Sequence, residues 1–305
     1  MKKRVLEQVL SSLRMRVQAR QNALASLRLE AYSVPEISSA QSAYSKAKFE
    51  ALKGGADLET AKKAYLDALK KHGYSEADFE YKPACSRCND TGYVDGKLCS
   101  CMKKEYIIAL AKECDVLSRA PFSFKDCNVS GMDKTQGEAL DKLYAFASEY
   151  VSKYPAVTKN VLVFTGATGT GKSCLASAMA RKAVLERGKS ALVLTAYEFN
   201  STCLNCHLAP VDEKNKVIYD LLHADFVVID DLGTEPMLKN VTLEYLQLVL
   251  DERTRNGLST IVTTNLDASQ LKERYGERIF SRLTDTKHSV FRRIPGNDLR
   301  LKQSK

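Results

Sequence analysis

Tryptophan is absent from the 305 residues. Any stacking of nucleic-acid bases on aromatic side chains therefore falls to tyrosine or phenylalanine. Nowhere do about 18 apolar residues follow one another, the length a membrane-crossing helix needs, so no membrane partner is expected. Met1 to Arg4 has the basic look of a secretory leader, but Glu7, Gln8 and Arg14 stand where its apolar stretch would follow. The chain also lacks the dense cysteine framework of a small secreted domain. Its nine cysteines are spread over 305 residues, and four of them cluster. That pattern predicts metal binding in a reducing cytoplasm rather than disulfides. Long runs of one charge are missing too. Lysine and arginine number 46 against 37 acidic residues, a net charge of +9. A polyanionic partner such as nucleic acid fits this excess, as does ordinary solubility charge. With 44% hydrophobic residues, the chain is able to bury a core.

The rest of the chain is organised around the stretch from Val161 to Ala180. A short apolar run breaks into a glycine-rich turn and resumes at helical spacing. The turn, Gly166, Ala167, Thr168, Gly169, Thr170, Gly171, Lys172, Ser173, fits G-x-x-x-x-G-K-[ST], with Cys174 next. Its glycines let the backbone curl so that successive N–H groups face phosphate oxygens. The helix starting near Gly171 adds the positive end of its dipole. Lys172 supplies a charge to the outer phosphates, and the Ser173 hydroxyl suits Mg²⁺. ATP and Mg²⁺ are the expected ligands.

Downstream, an apolar run from Phe226 ends in Asp230 and Asp231, the Walker B pattern. Asp230 is placed to hold Mg²⁺ through water and Asp231 to polarise an attacking water. Ser259 to Thr264 is another apolar strand, and Asn265 at its end could orient that water. Strands are expected at 160–165, 191–195, 225–230, 259–264 and 288–294 with helices between them. This alternation predicts an α/β fold, a mainly parallel sheet with helices on both faces.

Before this lie two other regions. Residues 1–32 read as one helix with a seam of Leu6, Leu10, Leu13, Val17, Leu24, Leu27 and Ala31, interrupted by Arg20. Ser33 to Glu36 resembles a capping box for a second helix, and Asp57 can cap a third that Gly73 closes. Such helices could dock on a partner or form a bundle of their own. Cys85, Cys88, Cys99 and Cys101 then form C-x₂-C, a turn-rich spacer and C-x-C. Four thiolates in two close pairs suit a closed structural Zn²⁺ site; free thiols and an iron–sulfur centre are the alternatives. Residues 91–96 look like a hairpin joining the pairs. The expected domains are a helical partner-binding region at 1–80, a zinc module and connector at 81–119, and a nucleotide domain at 120–305. Cys114 and Cys127 read as core cysteines. The string Cys203, Leu204, Asn205, Cys206, His207 matches a haem-attachment pattern, but inside such a domain it is not read that way.

The phosphate loop, Asp230 to Glu235, Thr263 to Asn265, Gly276 to Leu283 and Gly296 to Arg300 together resemble the AAA+ ATPases of the DnaC/DnaI helicase-loader type. The IstB transposition helper is similar in the same core. The resemblance covers roughly residues 120–303, and the cysteine segment is similar to the zinc-bearing amino-terminal region of the DnaI branch. It implies loading of a ring-shaped replicative helicase onto single-stranded DNA, with residues 1–119 meeting the helicase and the ATPase domain self-assembling. It also implies sensor 1 at Thr264 and Asn265, sensor 2 at Arg300, and an arginine finger at Arg282, with Arg278 second. The second acidic residue of this pattern is usually Glu and here is Asp231, which implies slow hydrolysis; Glu235 could contribute instead. An IstB-type transposition helper and a nucleotide-gated DNA-binding scaffold are the alternatives.

Overall fold

The computed structural model describes residues 1–51, 57–127 and 134–296. By its contacts the chain divides into one unit of residues 7–102 and another of residues 1–6 with 103–305.

The first unit is helical. Helices α1 (Lys2–Tyr32), α2 (Pro35–Ala51) and α3 (Leu58–Lys71) lead into a 3₁₀ turn at Glu76–Phe79. The Asp57 carboxylate caps α3 by accepting from the Thr60 N–H at 3.1 Å, as expected of that residue. Ser33 behaves differently from its expected capping role for α2. Its hydroxyl donates to the Glu30 carbonyl at 2.6 Å and so serves the end of α1. Ala31, Ile37, Tyr44, Tyr65, Leu69 and Phe79 form the buried core. Tyr44 and Tyr65 stack at 5.6 Å. Of the expected α1 seam in this unit, Ala31 is fully buried, whereas Leu10, Leu13, Val17, Leu24 and Leu27 are only half-buried.

The same unit contains a short antiparallel hairpin, β1 (Tyr93–Val94) with β2 (Lys97–Leu98). Gly92 opens it at φ +82°; a Cβ there would lie 3.1 Å from the Leu13 side chain. Only glycine combines that conformation with so close an approach to α1. Arg20, the interruption in the α1 seam, reaches Asp90 at 2.9 Å.

The second unit is a doubly wound α/β layer structure. Helices α4 (Ser100–Glu113), α5 (Val116–Arg119) and α6 (Lys134–Lys153) precede β3 (Val161–Thr165) and α7 (Lys172–Leu185). Then come β4 (Ala191–Thr195), α8 (Ala196–Leu208), α9 (Val211–His223), β5 (Phe226–Leu232) and α10 (Thr242–Arg255). The chain continues through β6 (Ser259–Thr264), α11 (Ala268–Thr284) and β7 (Ser289–Arg293). The strands form one parallel sheet in the order β4-β5-β6-β3-β7. All five expected strands are present. β3 is buried at every position, as a strand covered on both faces must be.

Alternation along the strands sends Val161, Val163, Val227, Ile229 and Val262 to one face. There they pack with Phe199, Leu221, Leu246, Leu271 and Ile279 of α8 to α11. Helix α7 packs on β4, β5 and β6, and α6 packs on α7. Residues 103–119, the later part of the expected zinc module and connector at 81–119, fall in this unit: α5 packs on α7 and β4. Cys203 and Cys206 are buried in the core, which leaves them no room to hold a haem.

Arg253 of α10 is fully buried at the end of the sheet where the strands begin. Its Nε donates to Thr260 Oγ1 at 2.9 Å, Nη1 to the carbonyls of Leu221 and Ala224 at 2.9 Å each, and Nη2 to that of Ser259 at 2.6 Å. It thereby ties α9, the turn that leads into β5, and β6 together. Among the described residues no helix is long and apolar enough to cross a membrane.

Candidate functional site

The strands of the sheet end on one side, and the glycine-rich turn lies there, between β3 and α7. Gly166 has φ +152°, and a Cβ on it would meet the Ile294 carbonyl oxygen at 2.6 Å. Gly169 and Gly171 have φ of +76° and +94°. A side chain at any of the three would be strained. Thr170 is fully buried and donates to the Ala167 carbonyl at 2.9 Å, which pins the turn. Ala167, Thr168 and Ser173 are exposed, and Cys174 is half-buried. Gly171 is the N-cap of α7, so the first-turn N–H groups of Ser173 and Cys174 have no partner within the helix and suit an anion.

Lys172 is buried. Its ammonium donates to the carbonyls of Gly166 at 2.9 Å and Ala167 at 2.8 Å, and to Asn265 Oδ1 at 2.6 Å. The Asn265 amide in turn reaches Asp231 Oδ1 at 3.4 Å. Thr263 joins the two carboxylates: its hydroxyl donates to Asp230 Oδ1 at 2.5 Å and accepts the Asp231 N–H at 2.9 Å. Asp231 itself is left-handed, at φ +57°, where the pairing of β5 with β6 shifts register between Ile229 and Leu232. The Thr264 hydroxyl donates to the Leu232 carbonyl at 2.5 Å and that of Thr165 to the Leu266 carbonyl at 2.6 Å. The structure thus brings Lys172, Asp230, Asp231 and Asn265 together across three strand ends. With an ammonium, an exposed Ser173 hydroxyl on α7 and paired carboxylates opposite, these residues fit a nucleotide triphosphate with Mg²⁺. Thr263 stands in the Thr263 to Asn265 segment, where only Thr264 and Asn265 have an expected role; its link to both carboxylates needs the neighbouring strand in place.

Glu235 lies apart from this group. It is 2% exposed. Its carboxylate accepts the Gly233 N–H at 2.9 Å and the Tyr275 hydroxyl, and the Arg274 guanidinium lies 3.8 Å away. Burial, then the Glu235 hydrogen bond, pushes the Tyr275 hydroxyl up, so it remains a donor. In this position Glu235 braces the turn after β5.

Arg282 is not brought to its own phosphate loop. α11 leaves the phosphate end of the sheet and kinks at Gly276, where φ is +77°. It runs back towards the strand starts. There Ser289, first residue of β7, donates to the Arg282 carbonyl at 2.6 Å. Arg282 pairs with Asp251 of α10, and this hydrogen bond strengthens its hold on its proton. The pair borders a cavity of about 500 Å³ with Arg255, Ser281, Asp285 and His288. Arg278 is exposed on the same helix. Arg300 lies outside the described residues.

In the helical unit, the Sγ atoms of Cys85, Cys88, Cys99 and Cys101 all lie within 4.8 Å of one another. Cys85 and Cys99 are 3.9 Å apart, and Cys88 and Cys101 are 3.7 Å apart. A tetrahedral zinc with bonds of about 2.3 Å has sulfur–sulfur edges of about 3.8 Å. The four residues therefore fit Zn²⁺. Asn89 and Asp90 are left-handed, at φ +46° and +59°, and wrap the first pair of cysteines. Backbone N–H groups of Cys88 and Arg87 hold the Cys85 thiol below its ordinary range, and that of Cys101 brings Cys99 to about 6. Asp90 accepts from the Ala84 and Cys85 N–H groups at 3.0 Å each and from the Tyr81 hydroxyl at 2.8 Å.

Residues 139–305, more than half of the chain, match the family described as IstB-like ATP binding protein. The chain is 29% identical over 148 residues to the replicative helicase loader DnaC of Escherichia coli K12, covering 48% of this chain and 58% of that protein. Against DnaC of Buchnera aphidicola from Acyrthosiphon pisum it is 32% identical over 125 residues, covering 40% and 49%. The chain thus spans about half the length of these relatives. A crystal structure of DnaI is similar at a TM-score of 0.45 and 22% identity, over 60% of this chain and 92% of that one.

Proposed function

Because the chain belongs to the IstB-like ATP binding protein family, we propose that it is an AAA+ ATPase that loads a replicative DNA helicase onto single-stranded DNA in the cytoplasm. The observation that carries the nucleotide half is the convergence of Lys172, Asn265, Asp230 and Asp231 at the ends of β3, β5 and β6. Bound Mg²⁺ would neutralise charge building on the transferred phosphoryl group. Lys172 adds its charge to the outer phosphates, Ser173 and Asp230 hold the ion, and Asn265 and Asp231 orient the attacking water. Asp231 is one methylene shorter than the usual glutamate, which favours slow turnover. Glu235, committed to Tyr275 and Gly233, is assigned a bracing role instead of a catalytic one.

Arg282 is assigned to a neighbouring subunit's ATP, with Arg278 as second candidate, since both lie on α11, which runs away from their own loop. An interface of that kind is heterologous and builds rings or spirals. Sensor 2 is assigned to Arg300 on resemblance alone. Residues 1–119, with Zn²⁺ on Cys85, Cys88, Cys99 and Cys101, form the helicase-binding part. The excess of basic residues supports weak, salt-sensitive and sequence-independent contact with DNA.

The test measures ATP turnover of the full chain alone, with single-stranded DNA, and with the host's replicative helicase. Helicase-dependent stimulation, and helicase capture lost on removing residues 1–119, would support the reading. The likeness to the IstB transposition helper favours one second reading, a transposition helper. Stimulation by a transposase and not by the helicase would decide for it, and ATP binding without turnover under any condition would leave a nucleotide-gated scaffold.

A further inference from the structure

Of the nine cysteines, four form the metal cluster, and Cys114, Cys203 and Cys206 are buried. The remaining two, Cys127 and Cys174, are partly exposed, and their Sγ atoms are 3.4 Å apart. They come together through the path of the segment before the ATPase core. Arg181 donates to the carbonyls of Ala120 and Pro121 at 3.3 and 3.4 Å. One turn nearer the loop, the Phe122 N–H donates to Ser177 Oγ at 3.1 Å. One turn further, Cys127 meets Cys174. The segment therefore runs antiparallel to α7, from its middle to its first turn. Cys174 follows Ser173 directly, in the turn whose N–H groups face the phosphate site.

We propose that Cys127 and Cys174 are an oxidisable dithiol whose disulfide straps the segment before the core to the first turn of α7 and weakens nucleotide binding. A disulfide needs its sulfurs at about 2.05 Å, an approach of about 1.4 Å from the present separation. That approach draws on the turn carrying Lys172 and Ser173, where phosphate contacts tolerate little displacement. A disulfide compound of low molecular weight, such as oxidised glutathione, is a sufficient oxidant. One thiol gives up its proton and its thiolate attacks a glutathione sulfur, releasing one glutathione thiolate. The other thiol then loses its proton, and its thiolate displaces the second glutathione. Two cysteine thiols are oxidised, one glutathione disulfide is reduced, and two glutathione molecules leave.

The experiment exposes the full zinc-loaded chain to oxidised glutathione at about pH 8, where thiols are partly ionised. It is followed by denaturing alkylation, peptide mass mapping and equilibrium ATP binding. The expected result is a 127–174 cross-linked peptide, with alkylatable cysteines falling by two from nine. ATP affinity should weaken by about threefold or more, recover with a reducing thiol, and stay constant under oxidant in Cys127→Ser. Cross-linking elsewhere, or both cysteines still alkylatable, overturns the strap. A formed cross-link with unchanged ATP affinity overturns its regulatory half. That half rests on the nucleotide-binding reading: if the reduced chain binds no ATP, the reading fails, whereas the cross-link is judged separately.

Discussion

Replacing Arg253 by methionine tests what holds the nucleotide-binding sheet together. The side chain is fully buried, and burial pushes its guanidinium down to about 9, so it remains charged at neutral pH. Methionine keeps much of the aliphatic volume and removes every donor. The carbonyls of Leu221, Ala224 and Ser259 and the Thr260 hydroxyl then lose a partner. Each buried acceptor left unpaired costs about 1–3 kcal/mol. The variant no longer has to desolvate a guanidinium, which returns a few kcal/mol. The expected net loss is about 3 kcal/mol. Arg253→Lys should lose about 2 kcal/mol, because one ammonium cannot reach acceptors on α9, Ala224 and β6 at once. Hydrogen exchange of β5 and β6 amides, read against denaturant, isolates this unit from the helical one. A loss below about 0.5 kcal/mol for Arg253→Met would refute the assignment of Arg253 as the tie between these elements.

Three further outcomes follow from the same geometry. Purified without chelator, the protein should carry one Zn²⁺ per chain; its removal should abolish exchange protection in residues 85–101, and a metal content of zero would contradict this. Asp90→Asn should lower the melting point of the helical unit. Burial raises the Asp90 carboxyl, but the Ala84 N–H, the Tyr81 hydroxyl, the Cys85 N–H and Arg20 outweigh it and hold it below the ordinary range. Its contribution is thus complete above that range and lost as pH falls through the depressed value, so the mutant and parent melting points should converge in acid. Arg282→Ala should spare ATP binding by the isolated chain and remove the rise in hydrolysis on assembly. Mixing it with Lys172→Ala should restore part of that rise; weakened ATP binding by the monomer would instead mean that Arg282 acts on its own subunit.

The sheet was legible because its signals are local. β3 to β6 are largely apolar runs that close on polar or glycine residues, and the phosphate loop needs glycine at positions where the backbone has positive φ. The four clustered cysteines were legible for the same reason, since short spacing brings ligands together. What depends on contacts distant in sequence was not legible. Arg253 looks like any basic residue in the last turn of a helix, and only the fold buries it. Thr263 acquires its role from β5, 32 residues away, and Glu235 is withdrawn by Tyr275, 40 residues on. The α1 seam, interrupted at Arg20, reads as one apolar face, yet most of it is only half-buried. Cys127 reads as a core cysteine in the sequence, yet it is partly exposed, and the path of the segment along α7 is what pairs it with Cys174.

The central claim is that the loop from Gly166 to Ser173 binds ATP through Lys172. Equilibrium binding of a fluorescent ATP analogue in the presence of Mg²⁺, for the parent chain and for Lys172→Ala with matched circular dichroism, tests it most directly. The account predicts saturable binding by the parent and a loss of about a hundredfold or more in the mutant. Equal affinity in the two folded proteins would contradict it.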